Sequence, residues 1–148
     1  MLKLDIKTEP YWLDLPGTVR VKVTPVTTAI MSAAQAMALD DYRKLADSGG
    51  IDPMNDAMRK GTSESLLIKA LARLAIVEWE GVALADGGDA APLNDQTIGK
   101  LMDIWLVAQE FLKAYVTQFT LLVTEGNVSA PVASGTSAAE ALTAGSAA

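Results

Sequence analysis

The five residues Val19-Arg20-Val21-Lys22-Val23 alternate strictly between apolar and charged, which puts three valines on one face of a strand and two cations on the other. Upstream, Tyr11-Trp12-Leu13-Asp14-Leu15 is a second short apolar run. Between them Pro16-Gly17 supplies a type II turn pair, a proline with fixed φ and then a glycine where φ must be positive. The pattern predicts a β-hairpin over about residues 6–24, with a connecting loop of two residues or more. An isolated hairpin is marginal in water, so its valine face needs a helix or another chain's strand to pack on.

The period then changes. Thr24-Pro25 reads as a helix start, Thr as the N-cap and Pro at the first helical position where its missing N–H costs nothing. Ile30, Ala33, Ala34, Met37, Tyr42 and Leu45 give a loose apolar stripe to about Ala46, and Gly49-Gly50 stops it. Asp52-Pro53 suggests one short helical turn through about Met58, and Gly61 separates this from a helix capped by Thr62 or Ser63. In that helix Leu67, Ala70, Leu71, Leu74 and Val77 recur at three- and four-residue steps, with Lys69 and Arg73 on another face.

Residues 79–93 read as a loop with a tight turn at Asp86-Gly87. Asn94 or Asp95 then caps the last long helix. Ile98, Leu101, Trp105, Ala108, Leu112, Tyr115, Phe119 and Leu122 keep an unbroken a/d heptad pattern along it, and Ile104, Phe111 and Leu121 add apolar area beside the seam. Gly126-Asn127 ends it with residue types suited to a left-handed C-cap. The final 23 residues carry one charge, Glu140, and no aromatic, and 17 of them are Ala, Ser, Gly or Thr. Such a segment buries too little apolar surface to offset its ordering entropy. The expected architecture is a mainly α, α+β domain over residues 1–127, with an N-terminal hairpin and three main helices, followed by a disordered tail over 128–148.

Composition removes whole classes of chemistry. The chain has 148 residues, no cysteine and no histidine. Disulfides, thiolate metal sites, and Ser-His-Asp or Cys-His catalysis are therefore excluded. Residues 1–60 hold eight basic and eight acidic side chains, whereas residues 61–148 hold four and ten, so the net charge of −6 lies entirely in the second part. An acidic surface repels phosphate backbones and argues against nucleic-acid binding. Met1-Leu2-Lys3-Leu4-Asp5 has no continuous apolar run for a signal peptide. The later apolar stretch is interrupted by Lys100, Asp103, Glu110 and Lys113, so no membrane span is expected.

The sharper motifs weaken on inspection. Asp86, Asp89 and Asp95 lack the alternate-position ligands and terminal Glu of a calcium loop. Glu78 and Glu80 flank Trp79, but carboxylates two apart on a helix do not face one another. Gly49-Gly50 and Gly87-Gly88 lack the Lys-Ser/Thr or third glycine of a phosphate loop. No cofactor is implied. The heptad stripe fits intramolecular packing better than a coiled coil, because Trp105, Tyr115 and Phe119 are bulky and their neighbours are apolar too. One edge of so wide a stripe can still serve a partner. Trp79 and Trp105 fit a core before an interface, and Trp12 is balanced between the two. The partner-contact candidates are Trp12, Val19, Val21, Trp79, Val82, Ile104, Trp105, Phe111 and Phe119.

One family resemblance runs through the same residues. A helix ends in Ala75-Ile76-Val77-Glu78-Trp79-Glu80-Gly81-Val82, and a loop with Asp86-Gly87 follows. Pro92-Leu93-Asn94 opens a helix containing Thr97, and Glu110-Phe111-Leu112, Tyr115 and Glu125-Gly126-Asn127 close the stretch. With the alternating strand and Thr24-Pro25 before it, this layout resembles the tail assembly chaperones of long-tailed bacteriophages over most of the chain before the tail. The resemblance implies a non-enzymatic protein of the host cytoplasm. It would bind the tape-measure protein, help recruit tail-tube protein, and be left out of the finished particle. Self-association is compatible with it. The competing expectations are a minor structural or adaptor protein of the particle, whose hairpin extends a neighbour's sheet, and a carboxylate-dependent enzyme.

Overall fold

A computed structural model describes residue 4 and residues 7–127, with side chains as far as Thr117 in the last helix. The chain divides into two compact units, Lys7–Tyr115 and a second made of Met1–Ile6 with Val116–Ala148. The expected tail over 128–148 and the side chain of Phe119 lie outside the described residues.

Lys7–Tyr115 is a mixed α+β unit. Its strands are β1 (Tyr11–Leu15), β2 (Val19–Val23) and β3 (Ile76–Glu80). Its helices are α1 (Thr28–Asp47), α2 (Asp56–Ala75), α3 (Asp95–Met102) and the first part of α4 (Trp105–Asn127), which continues into the second unit. The hairpin forms as its alternation requires: β1 pairs antiparallel with β2 from Tyr11↔Val23 to Leu15↔Val19, around a three-residue loop in which Gly17 has φ +78°. Val19, Val21 and Val23 are all buried.

The valine face packs on helices of the same chain, and a third strand extends the sheet beside β2. β3 adds to β2 in antiparallel register, with Val21↔Trp79 and Lys22↔Glu78, and a bulge beside Val23. The expected helix through Val77 therefore stops at Ala75, because the next five residues satisfy their backbone groups in the sheet. Pairing wins over helical periodicity here, since Ile76 and Val77 are β-branched and suit a pleated surface.

Three other boundaries move for equally local reasons. Thr24 does not cap α1, because its N–H donates to the Ala75 carbonyl at 2.8 Å and its carbonyl accepts from the Tyr115 hydroxyl at 2.8 Å. Thr27 caps instead, its hydroxyl accepting from the Ile30 N–H. Asn55 caps α2 in the same manner, so that helix begins at Asp56 and runs through Gly61 without a break. Gly61 has no positive φ, and a Cβ built on it meets nothing within 4 Å. Gly61→Ala is therefore expected to raise stability by about 0.5–1 kcal/mol, since alanine loses less backbone entropy in a helix interior; urea unfolding of the two proteins checks this.

The long C-terminal helix is two helices. α3 ends at Asp103, whose N–H reaches the Gly99 and Lys100 carbonyls, and Ile104 N–H bonds back to Leu101 before α4 begins. The core gathers the inner sheet face, Ala34 and Ala38 of α1, and Ile68, Leu71 and Ala75 of α2. Ile98, Leu101 and Met102 of α3 and Val107, Ala108, Phe111 and Tyr115 of α4 complete it.

The Tyr115 side chain is fully buried, and burial raises its phenol well above the ordinary tyrosine range, with the nearby Tyr11 adding to the rise. Burial likewise raises Tyr11. Above the ordinary value of about 10 the unfolded chain releases these protons before the folded one does. The contribution of these two phenols to stability is thus full below pH ~10 and falls as pH rises past it. Tyr115→Phe is expected to cost about 1–2 kcal/mol at neutral pH by orphaning the Thr24 carbonyl, and to flatten the alkaline fall. Chemical denaturation at a series of pH values measures both.

Candidate functional site

Two surfaces carry residues singled out by sequence. The first is the outer face of the sheet, where β-pleating sets Trp12, Lys22 and Glu78 in one cross-strand row and Asp14, Arg20 and Glu80 in the next. Glu78 and Glu80 do share a face, because they lie on a strand and not on a helix. Each is engaged: Lys22 pairs with Glu78 at 3.4 Å, and Arg20 pairs with Glu80 at 3.4 Å and with Asp14 at 2.9 Å. The Arg20 guanidinium and the Lys22 ammonium also lie over the Trp12 ring, 4.9 and 5.9 Å from its centroid. This face is a satisfied ladder of exposed charges around a half-buried tryptophan, each pair worth little on its own.

Trp79 and Val82 belong to the inner side of the same region. The Trp79 indole N–H donates to the Ala91 carbonyl at 3.0 Å, and Ala91 N–H donates to the Val82 carbonyl at 2.9 Å. With Leu84 N–H on the Asp89 carbonyl and an Ala83–Ala90 bridge, these bonds fold residues 82–91 into a small hairpin-like loop. The expected turn at Asp86-Gly87 forms its tip, with positive φ at Gly88. Trp79 and Val82 are half-buried supports of that loop.

The second surface is the corner between α3 and α4. Asn94 and Thr97 form a reciprocal capping box that starts α3. Arg73 of α2 then fastens the helix from outside: its Nε donates to the Asp95 carbonyl, it pairs with Asp41 of α1, and its guanidinium lies over Gly99. The approach is close, since a Cβ on Gly99 would stand 3.1 Å from the Arg73 nitrogen and the guanidinium would have to shift slightly. At the other end Lys69 pairs with Asp103 at 2.7 Å.

The chain turns at this anchored point and the next three side chains project outward. Ile104 is 54 % exposed, Trp105 70 % and Leu106 59 %. Trp105, expected mainly in the core, is thus among the most exposed large apolar residues described. Val19, Val21 and Phe111 lie in the core. The corner unites two of the sequence candidates, Ile104 and Trp105, and adds Leu106, which lies off the a/d positions of the heptad pattern.

Other exposed apolar side chains, such as Leu39 within α1, Met54 before α2 and Met58 in its first turn, are not consecutive in the chain. Isolated residues of that kind are ordinary on protein surfaces. Three adjacent ones led by tryptophan are not. Among the described residues no group of three or more His, Cys, Asp or Glu side chains could hold a metal ion, and no helix is long and apolar enough to cross a membrane. Compared with protein-family models, with characterised proteins and with solved structures, the chain matches none.

Proposed function

We propose that this protein is a tail assembly chaperone of a long-tailed bacteriophage, which binds the tape-measure protein and helps recruit tail-tube protein. The observation that carries the reading is the anchored apolar corner Ile104-Trp105-Leu106, exposed on a chain of net charge −6. A surface of this kind suits holding, since tryptophan gives a large contact area at low entropy cost and is enriched at interface hot spots. The outer carboxylates of the sheet are spent in ion pairs with Arg20 and Lys22, which leaves that face a poor place for acid–base chemistry. The sequence resemblance supplies the identity of the client and the expectation that the protein acts in the host cytoplasm and leaves before the particle is complete.

Co-expression tests this. The tape-measure protein should be recovered in the soluble fraction together with this chain, and the chain should be missing from mature particles. If the tape-measure protein is equally insoluble with and without it, the chaperone reading fails. If the chain remains in purified particles, it is a structural or adaptor protein. Trp105→Ala should leave the fold intact, as expected for an exposed side chain, yet lower the soluble yield of client several-fold.

A further inference from the structure

We infer that two copies of this chain pair through the free edge of β1, antiparallel about Leu13, and so join their three-stranded sheets into one. β1 ends the strand order, and the backbone groups on its outer edge bond to no other described residue. An open edge of this kind is a template for another strand. Which groups it offers follows from β2. Thr24 N–H reaches the Ala75 carbonyl beside β3, so by the alternation of an extended strand Lys22 and Arg20 also direct their backbone groups to β3. Val19, Val21 and Val23 then direct theirs to β1, where they occupy Leu15, Leu13 and Tyr11. Trp12 and Asp14 are left facing outward, each with one N–H and one C=O.

That edge is complementary to itself. With Leu13 opposite Leu13 of the copy, Trp12 stands opposite Asp14 in both directions, and every outward N–H and C=O of these two residues is paired. Pro10 and Pro16 are the next outward positions and meet each other, so the ladder ends on both sides without an orphaned donor. Slipping the copy by two residues sets Asp14 opposite Pro10, or Trp12 opposite Pro16, and either slip leaves a carbonyl unpaired. The second also sets Asp14 against Asp14.

The side chains agree with this register. On the inner face Leu13, half-buried at the margin of the core, gains Leu13 of the copy at the closer type of cross-strand site, and Tyr11 gains Leu15. On the outer face the row Glu78, Lys22, Trp12 continues into Asp14, Arg20 and Glu80 of the copy, with no like charges adjacent. The other end of the sheet does not accept a copy. Trp79 directs its backbone groups outward from β3, and pairing it with Val77 or Trp79 of a copy sets Glu78 against Glu78 or Glu80. Assembly therefore stops at two. A contact one five-residue strand long buries less than the ~1,200 Å² of a stable interface, so the dimer forms reversibly.

Sedimentation equilibrium of the full-length protein over a wide concentration range should show monomer passing to dimer. The chain has no cysteine, so a single introduced one reports the register. Leu13→Cys brings two thiols to a site where the Cα atoms stand about 4.5 Å apart, within disulfide range, and mild oxidation should yield a covalent dimer. Asp14→Pro removes one outward N–H and leaves the bonds between β1 and β2 in place. It should shift the sedimentation profile towards monomer, and in the Leu13→Cys background it should slow cross-linking several-fold. Thermal unfolding of the reduced variants checks that each is folded, and the unmodified chain carries the test if Leu13→Cys is not. Monomer at every concentration, a dimer or cross-linking rate indifferent to Asp14→Pro, or growth beyond the dimer overturns the inference.

Discussion

Phe111→Ala is expected to remove about 3–5 kcal/mol of stability, the range for deleting a large aromatic from a closed core. Phe111 is fully buried, and its ring stacks on Tyr115 with centroids 5.4 Å apart and planes 13° from parallel. Truncation opens a cavity at the point where α4 meets the rest of the core. It also loosens the ring whose hydroxyl holds the Thr24 carbonyl. Since a domain of this size has only about 5–15 kcal/mol in total, the loss is a large fraction of the whole. Leu106→Ala, five residues earlier on the same helix and mostly exposed, should change stability by no more than about 0.5 kcal/mol. Urea unfolding of both variants separates the two faces of α4. A similar loss from each would mean that the helix is rotated from the orientation described.

The contrast between these positions also marks where the sequence could be read and where it could not. The strict alternation of Val19, Val21 and Val23 has one physical solution, a half-buried strand, and the structure has it. The three- and four-residue steps likewise lead to Ala70 and Leu71 on the buried face of α2, with Leu67 half-buried against it. β3 was hidden because Ile76 and Val77 extend the helical period of α2 while also suiting a strand. Only the pairing with β2, more than fifty residues earlier, decides between the two.

The candidate corner was hidden for a related reason. Ile98, Leu101, Ala108, Leu112 and Tyr115 do face inward, so the heptad count holds on each side of the junction. Trp105, counted in phase with them, sits where the helix axis is interrupted and phase has no meaning. No proline or glycine marks the interruption. It comes from the last-turn bonds of Asp103 and Ile104 and from the Lys69–Asp103 pair, which links residues far apart in sequence. The exposed character of the corner is thus a tertiary property written over a regular local pattern.

Gly81→Ala is expected to be the most damaging glycine substitution, costing about 2–4 kcal/mol. Gly81 follows β3 directly and has φ +78°. A Cβ there would overlap the Thr18 carbonyl oxygen, with the Thr18 carbonyl carbon at 3.1 Å and the Val19 Cα at 3.3 Å. All three are backbone atoms at the hairpin tip, so no rotamer change can make room. Thr18 is itself at φ +62°, an uncommon setting for a β-branched residue, and cannot easily shift further. The end of β3 and the β1–β2 loop are therefore in direct backbone contact, and the glycine is what permits it. Gly88→Ala isolates the conformational part of the cost, because Gly88 has φ +79° and a Cβ added there would meet nothing within 4 Å. That variant should lose only about 1–2 kcal/mol, the cost of a left-handed alanine. The excess in Gly81→Ala then measures the steric contact alone, and equal losses in the two variants would show that the hairpin tip does not rest on Gly81.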